Sequence, residues 1–129
     1  MSALRDPNAE MGYMSALELS AGYRTGDLSP VEVTAAVLER IAALQPSLNA
    51  FSVVMDEEAL EAAARSLERI RRGEARRLEG VPVTIKNAYD VAGHATATDC
   101  HAIAAKMPEK DNPVVARLRD AGAIILGKT

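Results

Sequence analysis

The stretch that most constrains how this 129-residue chain can fold is its last apolar run, Ala123-Ile124-Ile125-Leu126, set between Gly122 and Gly127. In an extended chain successive side chains point to opposite sides, so a continuous apolar run belongs in a strand covered on both faces. Such a strand needs packed layers above and below it, which points to an α/β unit. The residues before it agree. Asp111-Asn112-Pro113 opens a helix expected to turn Val114, Val115 and Leu118 inward, and Gly122 ends it.

The rest of the chain supplies the partners. Residues 80–86, Gly-Val-Pro-Val-Thr-Ile-Lys, read as a second strand, entered through an X-Pro pair that favours extension. Residues 50–54, Ala-Phe-Ser-Val-Val, read as a third. Between them Asp56 opens a helix with Leu60, Ala63, Ala64, Leu67 and Ile70 as its expected buried stripe and Gly73 as its stop. Its acids Asp56, Glu57 and Glu58 lie at the positive end of the dipole and Arg69, Arg71 and Arg72 at the negative end. Earlier, Ser29-Pro30 starts a helix with Val33, Val37, Ile41 and Leu44 at helical spacing, expected to close at Pro46. Ser15 and Glu18 form a capping-box pattern for a short first helix over residues 15–24. Strand and helix therefore alternate after residue 50, which predicts at least partly parallel pairing. Residues 87–110 lose all periodicity and read as a long irregular segment, the kind that often carries function.

Composition narrows the function classes. Fifteen basic against eighteen acidic residues give a net charge of −3 with no basic run, so nucleic acid has no electrostatic footprint. No apolar run approaches the roughly 20 residues of a membrane span, and the charged, proline-containing start does not read as a secretory leader. The lone Cys100 excludes an internal disulfide and fits a reducing compartment, so a cytoplasmic location is expected. With only His94 and His101 beside it, no metal site is expected. The core is rich in alanine and holds few aromatics, Phe51, Tyr13, Tyr23 and Tyr89, which suits helices packed against a larger body.

Gly122-Ala-Ile-Ile-Leu-Gly127-Lys128-Thr129 satisfies the nucleotide-binding pattern G-x-x-x-x-G-K-T letter by letter. That loop requires a strand before its first glycine and phosphate-facing amides in between. Here a helix precedes Gly122 and the middle residues belong in a buried strand, so the match is rejected. Lys86 is the more informative basic residue. Alternation puts Thr84 and Lys86 on one face and Val83 and Ile85 on the other, with Lys86 at the carboxyl end of its strand, where α/β sheets place ligand chemistry. A lysine serves as a base only where its surroundings favour the neutral amine. Asp99-Cys100-His101 does not form a nucleophile pair, because neighbours on an extended chain point apart. The serines all precede Lys86, and none sits in a glycine-rich nucleophile turn.

Taken together, Leu28-Ser29-Pro30-Val31-Glu32, Leu48-Asn49-Ala50-Phe51, Leu78 through Lys86, Asp90-Val91-Ala92-Gly93 and Asp111 through Thr129 resemble, in order and spacing, the opening part of the amidase signature family. The likeness runs from about residue 14 to the end. It implies an α/β fold in which a mixed β-sheet is covered by helices, with residues 1–129 as the N-terminal part of one incomplete domain. It also implies a Ser-cisSer-Lys amide hydrolase without metal or organic cofactor, acting on a small-molecule amide. Lys86 falls at the family's catalytic lysine, and both serines would lie in a Gly/Ser-rich segment after Thr129. The remainder of the amidase domain is thus an expected partner. Asn87 stands where the family usually has Asp, and Asp99-Cys100 where it has Gly-Ser or Ala-Ser. Two other readings stay open: the amidase subunit of a glutamine-dependent tRNA amidotransferase, and a non-catalytic interaction module.

Overall fold

A computed structural model describes residues 10–97 and 105–129. Among them the order is α1 (Ala16–Thr25), α2 (Pro30–Leu48), β1 (Val53–Val54), α3 (Asp56–Arg71), β2 (Pro82–Ile85), α4 (Pro113–Asp120) and β3 (Ile124–Lys128). The three strands form one mixed sheet in the order β1-β3-β2, antiparallel between β1 and β3 and parallel between β2 and β3. The parallel pair is joined through α4, as a crossover requires.

The apolar run is buried on both sides. Ile124 and Leu126 pack with Leu38 of α2 and Ala59 and Ala63 of α3. Ile125 packs with Met55, Ile85, Val91 and Val115. The register then slips by one residue: Val83 pairs with Ile125, Thr84 with Gly127 and Ile85 with Lys128. Leu126 is the extra residue of a bulge, and it inverts the side to which the rest of β3 points. Paired residues share a face, so Lys128 joins the side of Ile85 and Ile125 rather than that of Ile124 and Leu126. Gly127 makes this close pairing possible, because a Cβ there would overlap the Val53 carbonyl oxygen and lie 3.0 Å from Phe51 Cδ1.

Helix starts follow their caps. Ser15 Oγ accepts from Glu18 N at 3.2 Å while Glu18 Oε2 accepts from Ser15 N at 2.7 Å, and Asn112 Oδ1 accepts from Val114 N at 2.9 Å. Helix α2 passes the expected stop at Pro46 and ends at Leu48. Pro46 sits on an exposed turn, where water can reach the carbonyl freed by its missing donor. Asn49, left-handed at φ 47°, donates its N–H to Gln45 O at 2.8 Å. The Gln45 amide closes the end by pairing with Phe51, Nε2 to O at 2.7 Å and Oε1 from N at 3.1 Å.

The buried faces differ from the periodicity in phase. On α2, Val33 is buried and Val37 and Ile41 are half-buried, but Leu44 is exposed. On α3 the buried residues are Ala59, Ala63 and Ser66, while Leu60 and Ala64 face outward. Only side chains this small fit where α3 approaches β3 and α2. On α4, Val115 is buried and Leu118 packs beside it, but Val114 is half-exposed rather than inward.

A buried polar knot ties α3 to the turn before β2. Glu79, 3% exposed, accepts from Ser66 Oγ at 2.6 Å and from Arg76 Nε at 2.6 Å and Nη2 at 2.9 Å. Arg76 Nη1 also donates to the Arg119 carbonyl at the end of α4, at 3.2 Å. Burial alone would raise the Glu79 carboxyl, but the hydrogen bonds from Arg76 and Ser66 outweigh it and hold it below the usual range.

Candidate active site

The sheet's end near Ile85 and Lys128 gathers four segments around one cavity of about 430 Å³. Its walls are residues 49–52 before β1, residues 86–88 after β2, Ala97 and Thr129. Backbone bonds extend the ladder into this rim. Thr129 N donates to Ile85 O at 2.9 Å, Asn87 N to Thr129 O at 2.7 Å, and Ser52 N to Lys128 O at 2.9 Å.

Lys86 opens into this cavity at the carboxyl end of β2, where sequence reasoning puts it. Its side chain is exposed, and among the described residues no carboxylate lies within ion-pair range of it. Asn87 lines the same cavity. A carboxamide there adds donors and acceptors without a charge beside the lysine.

Lys128 is the polar residue that sequence reasoning passed over. It is fully buried, and its ammonium donates to Ala95 O at 2.7 Å and Thr96 Oγ1 at 2.9 Å. Burial holds the Lys128 amine below its ordinary value; Asp90 opposes that shift and Lys106 adds to it. Asp90 Oδ2 accepts from Lys106 Nζ at 2.8 Å, and that bond outweighs desolvation to keep the carboxyl below its usual range. The signal that could have found Lys128 is the charge itself: a lysine following a doubly covered strand with no turn between them.

The other motifs separate. Gly122 ends α4 and Ile124–Lys128 is a buried strand, so the G-K-T match makes no phosphate loop. His94 Nε2 lies 2.7 Å from Glu58 Oε1 in the first turn of α3, a contact of two loop-and-helix side chains. No group of three or more potential metal ligands occurs among the described residues. Asp99, Cys100 and His101 lie outside them. Among the described residues no helix is long and apolar enough to cross a membrane.

A mixed sheet covered by helices, with a lysine at a strand's carboxyl end facing a cavity, defines the class that comparison then specifies. The family model for Amidase matches residues 32–129, and the chain belongs to the amidase signature family. It is 39% identical over 124 residues to indoleacetamide hydrolase of Bradyrhizobium diazoefficiens, covering 95% of this chain and 24% of that protein. It is 39% identical over 111 residues to a glutamyl-tRNA(Gln) amidotransferase subunit of Geobacter metallireducens, covering 86% and 23%. The peptide amidase of Stenotrophomonas maltophilia superposes with a TM-score of 0.81 at 36% identity, covering 91% of this chain and 24% of that one. The chain thus spans about a quarter of the length of the relatives it matches.

Proposed function

We propose that residues 1–129 form the opening part of an amidase domain that hydrolyses a carboxylic amide, with Lys86 as its general base. The observation that supports this most directly is the position of Lys86: cavity-lining, at a strand end, and without a carboxylate among the described residues to hold its charge. An amine so placed can take a proton from a hydroxyl brought against it. In the proposed triad a bridging serine passes the nucleophile's proton to the Lys86 Nζ. The nucleophile then attacks the amide carbonyl, the amine leaves protonated, and water releases the acid. Both serines come from the part of the domain beyond this chain, so the 129 residues alone are expected to be inactive. The walls at residues 49–52 and 86–88 would border the substrate.

The test is a chimera in which this chain replaces the matching quarter of the Bradyrhizobium indoleacetamide hydrolase, assayed for ammonia release from indoleacetamide. The parent chimera should turn over, and Lys86→Ala should lower kcat/KM by about 10³-fold or more with unchanged circular dichroism. Turnover retained in Lys86→Ala removes the lysine from its role, and a folded parent chimera with no activity removes the hydrolase reading.

The similarity to glutamyl-tRNA(Gln) amidotransferases favours a second reading, release of ammonia from glutamine for transfer within a complex. A chimera with the Geobacter relative, showing glutaminase activity only when the other proteins of that complex are present, would support it.

A further inference from the structure

We infer that Lys128 is a positioning residue for the substrate cavity: through Ala95 and Thr96 it fixes the Ala97 wall of the cavity that Lys86 also lines. The inference rests on the amidase reading and extends it to substrate fit. Lys128 is fully buried, which is unfavourable for an ammonium unless its protons find acceptors. Two are identified, Ala95 O and Thr96 Oγ1, and both belong to an irregular segment rather than to the sheet. One residue further on, Ala97 lines the cavity.

The main chain of Lys128 holds the other walls. Its carbonyl accepts from Ser52 N at 2.9 Å and Ser52 Oγ at 3.2 Å, and it pairs in register with Ile85, the neighbour of Lys86. The cavity's segments therefore meet at this residue. The bulge at Leu126 is what directs its side chain: without the extra residue, Lys128 would face the side of Ile124 and Leu126 and miss Thr96. Thr96 is in turn bridged to Lys106, N to O at 2.8 Å and O from N at 3.0 Å, and Lys106 is ion-paired to Asp90. The wall is thus tied at two points, one buried and one exposed, and the buried tie is the one that water does not weaken.

The chimera described above tests this with Thr96→Val, which keeps shape and removes the acceptor, Thr96→Ser, which restores it, and Lys128→Met. Thr96→Val and Lys128→Met should each raise KM for indoleacetamide by about tenfold with kcat within about twofold, and the double variant should be no worse than Lys128→Met. Thr96→Ser should keep the parent KM. Hydrogen exchange followed by mass spectrometry should show faster exchange over residues 91–97 in Thr96→Val, with β2 and β3 unchanged. That readout does not need turnover, so it tests the anchor even if the parent chimera does not hydrolyse the amide, an outcome that would instead overturn the amidase reading. Faster exchange with an unchanged KM would overturn the role in substrate fit, and unchanged exchange would overturn the anchor itself. Should Lys128→Met fail to fold, Thr96→Val against Thr96→Ser decides the matter.

Discussion

At the scale of single residues, the two most buried charges among the described residues are held by opposite means. Lys128 keeps its ammonium by giving protons to a carbonyl and a hydroxyl, whereas Glu79 keeps its carboxylate by accepting from Ser66 and Arg76. Because the folded Glu79 carboxyl titrates below its unfolded value, its contribution to stability is present above about pH 4.5 and lost as pH falls through the folded value. Urea midpoints of the chimera followed down from pH 6 should therefore decline more steeply for the parent than for Glu79→Gln. Ser66→Ala, which removes a hydrogen bond to a buried carboxylate, should cost about 1–3 kcal/mol at neutral pH. Lys86 was readable from the chain because alternation and strand direction put it at a carboxyl end. Lys128 was not, because its orientation depends on a slip against β2 that neither strand's own letters encode. Glu79 was hidden for a similar reason: its partners Ser66 and Arg76 belong to a helix and a turn whose approach only the folded chain defines.

At the scale of elements, caps and turn residues gave reliable starts, since Ser15, Ser29 and Asn112 act locally on amides two or three residues away. Faces were less legible. The α3 stripe shifts to Ala59, Ala63 and Ser66 because close approach to β3 selects by size, and hydrophobicity alone favours Leu60. The two-residue β1 shows how little of a strand is needed when its neighbour is fixed: Met55 N donates to Leu126 O at 2.8 Å and Ser52 N to Lys128 O at 2.9 Å, framing the pair. Gly127 is the point of contact. Gly127→Ala would drive a methyl into the Val53 carbonyl and should destabilise the protein by about 1–3 kcal/mol, read as a lower Tm, with β1 displaced first. An unchanged Tm would mean that β1 can move away without loss.

At the scale of the whole molecule, apolar side chains on view outnumber what a three-stranded sheet can cover. Leu17 is 82% exposed and Leu48 65%, and a groove of Val37, Ile41, Leu44 and Leu48 runs beside Phe51 and Leu126. The chain expressed alone should enhance the fluorescence of a hydrophobic dye such as ANS, and the chimera, with the rest of an amidase domain present, should do so far less. Equal signals would show that these faces stay bare in the larger protein. Fold class was legible at this scale because the doubly apolar run demanded layers on both sides. The cavity was not, since its walls come from four separated segments.

The place of β3 in the sheet has a consequence for order in time. It is the central strand and the last of the three to be synthesised, and Ser52 waits 76 residues for the Lys128 carbonyl that it binds. Until then β1 and β2 have no strand between them, and only the helical contacts of α1, α2 and α3 are local enough to form early. During translation the sheet should therefore appear late and all at once, when Ile124–Lys128 clears the ribosome and gives β1 and β2 the strand on which both pair.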